Sequence, residues 1–231
     1  GGGLEGHSFG NLFLSALTTI TGSLEKAVQA SSQVLSVQGQ VIPATGIDVM
    51  LWAELEDGEK IFGESLIGKS VKPISRIGCL PENPPALKNA IEAIKEADLI
   101  VLGPGSLYTS LLPNLLVPEI VEELLKNNSP KIYISNLMTQ PGETDGLDVY
   151  QHIKSIEKQL FNFGVNTRIF NAILSQGEFE GSSLIDYYRS RGAEPVICNK
   201  KRLVSEGYHV LQAPLYSKRI TPTLRHDYRR L

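Results

Sequence analysis

One stretch of the sequence decides the fold that we predict for this chain: Ala97-Asp98-Leu99-Ile100-Val101-Leu102-Gly103-Pro104-Gly105-Ser106-Leu107-Tyr108-Thr109-Ser110. The unbroken apolar run from Leu99 to Leu102 predicts a fully buried strand of a parallel sheet, and the Gly-Pro-Gly-Ser segment after it predicts a loop. Ligands of open α/β sheets bind where such a strand ends, because the next helix begins there with free N–H groups and a positive dipole end. We therefore predict a site for an anion, typically phosphate, formed by Gly103, Gly105, Ser106, Thr109 and Ser110. The alternative is a strand-to-helix turn in which the glycines only allow the backbone conformation, since Gly-x-Gly by itself is weak evidence for an anion site.

A second polar loop follows the next predicted strand, at residues 131–135, and reads Asn136-Leu137-Met138-Thr139-Gln140-Pro141-Gly142-Glu143-Thr144-Asp145-Gly146. Neighbouring parallel strands end at the same edge of a sheet, so we expect the two loops to face one crevice. Asn136, Thr139, Gln140 and Thr144 can form hydrogen bonds with a ligand, whereas Glu143 and Asp145 can bind a divalent cation or orient a sugar hydroxyl. The alternative is a solvated Pro-Gly turn in which Asp145 caps the next helix.

The rest of the chain alternates strands and helices, which predicts an α/β fold with a mainly parallel sheet and helices on both faces. Glu56-Asp57-Gly58-Glu59 predicts the turn of a small antiparallel hairpin insert. Further short strands are predicted at residues 41–42 and 196–198. No repeat or linker interrupts the pattern, so residues 1–231 are expected to form one α/β domain.

Composition narrows the class of protein. The 231 residues are 42% apolar and carry a formal net charge of −3, so no overall basic field attracts nucleic acid. No run of about 18 apolar residues indicates a membrane span, and no signal peptide is indicated. Cys79 and Cys198 lie far apart in apolar settings, which is typical of reduced thiols in the cytoplasm.

Three other groups of residues are candidates for ligand contact. His7, Ser8 and Asn11 lie where the first helix begins, and they either face the ligand or have structural roles such as capping. Tyr187 and Tyr188 could stack on a base or a sugar, or pack in a core or an interface. Arg225 could contact a phosphate through two hydrogen bonds, with Asp227 orienting His226; the alternative is an exposed basic tail. No Cys/His spacing fits zinc, so any metal would be a hard cation bound by Asp, Glu and phosphate oxygens.

Four motifs together resemble one family. Ala97 to Leu116 and Asn136 to Gly146, together with Gly6-His7-Ser8-Phe9-Gly10-Asn11-Leu12 and Arg225-His226-Asp227, are similar to the bacterial gluconeogenesis factor family. The resemblance covers nearly the whole chain. It implies a Rossmann-like α/β fold shared with 2-phospho-L-lactate transferase.

The resemblance also implies a function. Such proteins are expected to be cytoplasmic, homodimeric regulators that bind nucleotide-sugars (UDP-sugars) and support cell shape during gluconeogenic growth. The resemblance does not imply a catalytic activity. The alternative is a transferase-like enzyme that moves a phosphorus-linked group from a nucleotide diphosphate donor, with Mg²⁺ accompanying the nucleotide. The implied pocket uses the loop from Gly103 to Ser110, Asn136, the loop from Thr139 to Asp145, the pair Tyr187 and Tyr188, and Arg225.

One departure from the family concerns the start of the chain. Members open with a buried strand and a glycine-rich nucleotide loop before the Gly-His-Ser motif, and this chain begins at Gly1-Gly2-Gly3 instead. We expect Gly1-Gly2-Gly3 to be a remnant of that region, with a central strand of the sheet missing.

Overall fold

A computed structural model describes residues 9–35, 38–70, 72–179, 182–216 and 224–231, excluding the side chains of Asn11, Ser182 and Ser183. Its strands are β1 (Met50–Leu55), β2 (Lys60–Phe62), β3 (Ile74–Leu80), β4 (Ile100–Leu102), β5 (Lys131–Ile134), β6 (Ala172–Gln176) and β7 (His209–Ala213). Its helices are α1 (Phe9–Thr21), α2 (Leu24–Val34), α3 (Glu64–Ile67), α4 (Lys88–Glu96), α5 (Pro118–Lys126), α6 (Val149–Phe161), α7 (Ser182–Arg189) and α8 (Lys200–Ser205). A π-helical turn (Leu107–Leu111) and a 3-10 turn (Leu112–Leu116) precede α5.

Four strands form a parallel sheet in the order β4-β5-β6-β7. Helix α5 connects β4 to β5, α6 connects β5 to β6, and α7 and α8 lie between β6 and β7. The local sequence explains where these helices begin. Pro118 opens α5, where its missing N–H costs nothing, and Asp148 forms a capping box with Gln151 at the start of α6. The predicted α/β class with a mainly parallel sheet is confirmed.

The predicted hairpin insert is part of a three-stranded antiparallel sheet in the order β2-β1-β3. Trp52 in β1 pairs with Phe62 in β2 on one side and with Gly78 in β3 on the other. Strand β3 was not predicted, because its sequence Ile-Ser-Arg-Ile-Gly-Cys-Leu lacks a regular alternation of apolar and polar residues.

Two predicted short strands are absent from the described residues. Residues 41–42 lie in irregular backbone before Pro43. Residues 196–198 contribute only local pairing: Val196 N–H donates to Leu137 O, and the adjacent Pro195 forms an isolated bridge with Met138. This segment therefore lies against the loop after β5, although it does not extend the sheet.

The prediction that residues 99–102 are fully buried is wrong. Leu99 is 50% exposed and Val101 is 45% exposed. Among the described strands β4 pairs only with β5, so its other edge and part of its apolar side-chain surface stay uncovered.

The apolar residues form two clusters. The main core joins the two sheets and includes Ala53 and Ile77 from the antiparallel sheet and Tyr133 and Ile173 from the parallel sheet. A smaller cluster lies at the carboxyl ends of the parallel strands and consists of Leu137, Met138, Leu215 and Tyr216, with Leu174, Phe179, Tyr188, Ala213 and Leu224 packed against it. No helix in the described ranges has the length and apolar character needed to cross a membrane.

Candidate functional site

An open cleft of about 430 Å³ lies where the loops after β4 and β5 meet. Its walls combine both loops with α7 and the last described segment of the chain. The residues lining it are Pro104, Gly105, Ser106, Asn136, Leu137, Met138, Thr139, Gln140, Tyr188, Leu224, Arg225 and His226. The structure thus brings together at one edge the two loops that the sequence pattern placed there. We call this space the strand-end cleft.

Gly103 gives the first loop its path. Its φ is +97°, and a Cβ atom added there would lie 2.5 Å from Ile134 O of the neighbouring strand. A side chain is therefore excluded both by conformation and by contact. Gly103 acts through backbone geometry and does not line the strand-end cleft, whereas Gly105 does.

Two hydrogen bonds tie the loops together across the cleft floor. Gly105 N–H donates to Asn136 Oδ1 over 3.2 Å, and Gln140 Nε2 donates to Ser106 Oγ over 2.8 Å. Because the Ser106 oxygen accepts from Gln140, its own proton stays available for a ligand. The arrangement holds Asn136, which is 8% exposed, at the base of the cleft.

The predicted anion position beside the helical turn is taken by a side chain of the protein. Glu143 Oε1 accepts from Thr109 Oγ1 over 2.8 Å, and Glu143 Oε2 accepts from Tyr108 N–H over 3.3 Å. Thr109 and Glu143 also border a separate open depression on the surface, lined by residues of α3 as well. A second anion at this position would be repelled by the carboxylate. Thr109 and Glu143 therefore do not contribute to the strand-end cleft, contrary to the prediction.

Four more predicted residues have structural partners. Thr144 is fully buried and its hydroxyl oxygen accepts from Gln140 N–H, while Asp145 Oδ2 accepts from Gly142 N–H. Thr139 lines the cleft, but its hydroxyl oxygen accepts from Glu194 N–H over 2.8 Å. Ser110 is exposed outside the cleft, and its carbonyl oxygen accepts from Asn114. The side chains of Thr139, Thr144 and Asp145 shape the second loop. Thr144, Asp145 and Ser110 do not line the cleft.

The two tyrosines of α7 have different environments. The ring of Tyr187 is 43% exposed and lies under the guanidinium of Arg191, 3.6 Å from the ring centre. Tyr188 lines the cleft, and its hydroxyl oxygen accepts from Leu224 N–H over 2.8 Å. Only Tyr188 of the predicted pair therefore reaches the strand-end cleft.

The last described segment covers one side of the cleft. Arg225 is exposed, and no acid or other acceptor among the described residues pairs with its guanidinium. The His226 ring is not oriented by Asp227 as predicted; its Nε2 lies 3.0 Å from Ser135 O. Burial lowers the pKa of His226, so the ring is neutral at neutral pH and its Nε2–H donates to this carbonyl.

Several cleft residues escaped the sequence analysis. Leu137, Met138 and Leu224 line the cleft, but apolar residues give no signal of ligand contact in the sequence. Pro104 also lines it and was implied only as part of the loop from Gly103 to Ser110. His7 and Ser8 lie outside the described residues, and nothing is described of the Asn11 side chain. No carboxylate occurs among the described lining residues, and the described part of the chain holds no group of three potential metal ligands. These lining residues therefore do not fit a magnesium ion held by protein carboxylates.

Comparison with known proteins gives one family. The sequence model described as "2-phospho-L-lactate transferase CofD" matches residues 1–216. A protein of Nostoc sp. named "Putative gluconeogenesis factor" is 47% identical over 231 residues, which are 100% of this chain and 50% of that protein. Proteins named "Gluconeogenesis factor" are 44% identical in Halalkalibacterium halodurans, covering 90% of this chain and 63% of that protein, and 40% identical in Bacillus subtilis, covering 98% and 70%. The chain thus spans between half and 70% of the length of these three relatives.

A solved structure shares the fold. The crystal structure of a member of the UPF0052 family from Bacillus halodurans matches with a TM-score of 0.89 and 40% sequence identity. The match covers 98% of this chain and 71% of that chain. The arrangement of sheets and helices described above is therefore that of an experimentally observed protein.

Proposed function

This chain belongs to the 2-phospho-L-lactate transferase CofD family, and from that premise we propose that its strand-end cleft binds a nucleotide-sugar, with Arg225 contacting the phosphates. One observation carries the proposal. Two glycine-bearing loops from neighbouring parallel strands converge on an open cleft, and an exposed guanidinium without a partner among the described residues stands at its rim. Such a cleft lies where α/β sheets bind phosphorylated ligands.

The charges of the cleft favour an anionic ligand. Arg225 brings a permanent positive charge, and the described lining contains no carboxylate that would repel a phosphate. A guanidinium can donate two parallel hydrogen bonds to a phosphate, and each such charge-assisted bond is stronger than a neutral one. The phosphate-binding group of the proposed site is therefore a side chain, since the helical turn after β4 is already capped by Glu143.

The remaining lining suits the uncharged parts of a nucleotide-sugar. Ser106, Asn136 and Gln140 can exchange hydrogen bonds with hydroxyl or amide groups. Leu137, Met138 and the ring of Tyr188 offer an apolar wall for a base or for the face of a sugar ring. A volume of about 430 Å³ lies in the range typical of small-molecule sites.

The relatives' names suggest the biological role. We propose a homodimeric, cytoplasmic regulator that senses a UDP-sugar during gluconeogenic growth and supports cell shape. The name "Gluconeogenesis factor" of two relatives supports the link to gluconeogenesis. Binding is the proposed activity of this chain, and no step of the proposal uses a metal ion.

A second candidate is transfer of a phosphorus-linked group, which the description of the family favours. In that reaction an acceptor hydroxyl would attack phosphorus and a nucleoside monophosphate would leave. The described lining contains one imidazole, that of His226, and the hydroxyls of Ser106, Thr139 and Tyr188; all four groups are engaged in hydrogen bonds within the protein. Release of nucleoside monophosphate from a nucleotide diphosphate donor in the presence of an acceptor would distinguish transfer from binding.

Calorimetric titration with UDP-N-acetylglucosamine, UDP and uridine tests the proposal. We expect Arg225→Ala to lower the affinity for UDP-N-acetylglucosamine and UDP by about 10- to 100-fold, and the affinity for uridine by less than about 2-fold. Arg229→Ala is the matched control, since Arg229 lies four residues later and contacts Tyr228 outside the cleft. Absence of binding in the wild-type protein, or equal affinity in the wild-type and Arg225→Ala proteins, would contradict the proposal.

A further inference from the structure

Arg225 is carried by a short segment, residues 224–227, that is fixed on both sides of the arginine. We call it the arginine strap. On one side Leu224 N–H donates to the Tyr188 hydroxyl oxygen over 2.8 Å. On the other side His226 Nε2–H donates to Ser135 O over 3.0 Å, and Asp227 N–H donates to Leu215 O over 2.7 Å. Of the three polar side chains of the strap, only that of Arg225 forms no hydrogen bond with the described residues.

The three anchors belong to three different parts of the fold. Tyr188 lies on α7, Ser135 follows β5, and Leu215 follows β7. His226 also forms an isolated antiparallel bridge with Tyr216. Since these parts converge at the carboxyl edge of the parallel sheet, the position of the strap relative to the cleft is set by the sheet itself.

The strap rests on the smaller apolar cluster rather than on the main core. Leu224 packs against the cluster of Leu137, Met138, Leu215 and Tyr216, and so does the ring of Tyr188. Leu137 and Met138 also line the cleft. The same small cluster thus supports the cleft wall and the segment that carries the arginine.

From these contacts we propose that Tyr188 and His226 are positioning residues, which hold the arginine strap so that the Arg225 guanidinium faces the strand-end cleft. The inference rests on the proposed function for the ligand and changes the role expected for Tyr188. Its hydroxyl oxygen anchors the backbone of residue 224, whereas stacking on a ligand would require only its ring. A backbone segment that is already anchored loses less conformational entropy when its arginine binds a phosphate, so loosening the strap weakens binding without removing a ligand contact.

Amide hydrogen exchange tests the anchors without any ligand. Tyr188→Phe removes the hydroxyl and keeps the ring, so exchange at the Leu224 amide is expected to accelerate at least 10-fold, while exchange in the main core stays unchanged. Tyr187→Phe is the matched control, since Tyr187 is the neighbouring exposed tyrosine, and exchange at Leu224 should not change. Equal exchange at Leu224 in the wild-type and Tyr188→Phe proteins would overturn the anchoring role.

A double-mutant cycle tests whether the anchors act through Arg225. Tyr188→Phe alone is expected to lower the affinity for UDP-N-acetylglucosamine about 3- to 10-fold, and to have no further effect when Arg225 is already alanine. Equal losses in both backgrounds would mean that Tyr188 contacts the ligand directly, and the positioning role would be overturned.

His226 provides a second variant in the same cycle. His226→Ala should weaken binding through Arg225 in the same manner, and His226→Gln should restore part of the affinity, because its side-chain amide can donate to Ser135 O. Failure of the wild-type protein to bind any nucleotide-sugar would contradict the proposed function alone, and the exchange experiment would then still decide whether the strap is anchored. Equal affinities of the alanine and glutamine variants would count against the role of His226.

Discussion

Thr109 Oγ1 donates a hydrogen bond to Glu143 Oε1 over 2.8 Å, and this bond joins the helical turn after β4 to the loop after β5. The other carboxylate oxygen of Glu143 accepts from Tyr108 N–H. One carboxylate thus satisfies a hydroxyl and a main-chain donor at the start of a helical turn, where negative charge is favourable. The two loops are thus also held together outside the strand-end cleft.

We therefore expect Glu143→Ala to lower the free energy of unfolding by about 1–3 kcal/mol, because it leaves the Tyr108 N–H without its acceptor. Thr109→Val should cost about 1 kcal/mol. The double variant should cost less than the sum, since both changes remove the same bond. Urea denaturation measures all three values. Additive losses would show that the bond between Thr109 and Glu143 contributes nothing to the free energy of unfolding. Asp145→Ala is the control, because it removes an exposed carboxylate that accepts from Gly142 N–H.

Gly103 offers a test of how the first loop is built. Gly103→Ala is expected to lower the free energy of unfolding by more than about 3 kcal/mol, because alanine at a φ of +97° is strained and its Cβ would meet Ile134 O. Gly39→Ala is the matched control: its φ is +92°, but no atom lies within 4 Å of the added Cβ. It should cost only about 1–2 kcal/mol. Equal costs measured by urea denaturation would mean that the close approach to β5 is easily relieved.

The strand-end loops could be predicted because their signals are local. An apolar run ending in Gly-Pro-Gly-Ser marks a strand and its loop wherever the chain goes next, and two such strands in succession place their loops at one edge. Strand β3 could not be found this way, since Arg76 and Gly78 break the alternation and only pairing with β1 defines it. Exposure of β4 was also missed, because an apolar run does not reveal how many neighbours its strand has.

The roles of individual loop residues depended on partners that are distant in sequence. Glu143 and Thr109 are 34 residues apart, and Thr139 bonds Glu194, which is 55 residues away. A polar residue in a loop has the same appearance in sequence whether it binds a ligand or a neighbouring loop. Arg225 is a different case: its local sequence also fits an exposed basic tail, and the anchors at Tyr188, Ser135 and Leu215 are what hold its segment beside the cleft.

The buried histidine of α6 predicts a dependence of stability on pH. His152 is fully buried, and its Nδ1 lies 2.8 Å from Asp148 O, to which it donates. Burial lowers its pKa below the ordinary value of 6.5, although the Asp148 carbonyl opposes the shift. Just below pH 6.5 the unfolded chain therefore binds more protons than the folded chain, and the free energy of unfolding falls as the pH falls, by at most about 1.4 kcal/mol per pH unit for this one group.

Urea denaturation between pH 8 and pH 5 measures this effect. His152→Leu removes the titrating group and leaves Asp148 O accepting the main-chain N–H of residue 152, so its stability should fall less steeply below pH 6.5 than that of the wild-type protein. Some dependence should remain in the variant, because burial also lowers the pKa of His226. His209→Gln, which removes an exposed histidine of β7, is the control and should retain the wild-type slope. An unchanged slope in His152→Leu would contradict the prediction.

Two substitutions of Asn136 test the stability of the cleft and its proposed affinity for anions separately. Its Oδ1 accepts from Gly105 N–H at the cleft base, and a carboxylate can accept the same bond. Asn136→Asp keeps this acceptor but adds an unpaired charge at a position that is 8% exposed, so both Asn136→Asp and Asn136→Ala should lose about 1–3 kcal/mol of unfolding free energy. The two variants should differ in binding: the new negative charge opposes phosphate, so Asn136→Asp should bind UDP at least 10-fold more weakly than Asn136→Ala. This difference should shrink as salt is raised. Titrations with uridine, which carries no phosphate, should show no such difference between the two variants. Equal weakening of UDP binding by aspartate and alanine would contradict the prediction that the cleft holds the phosphates of the ligand.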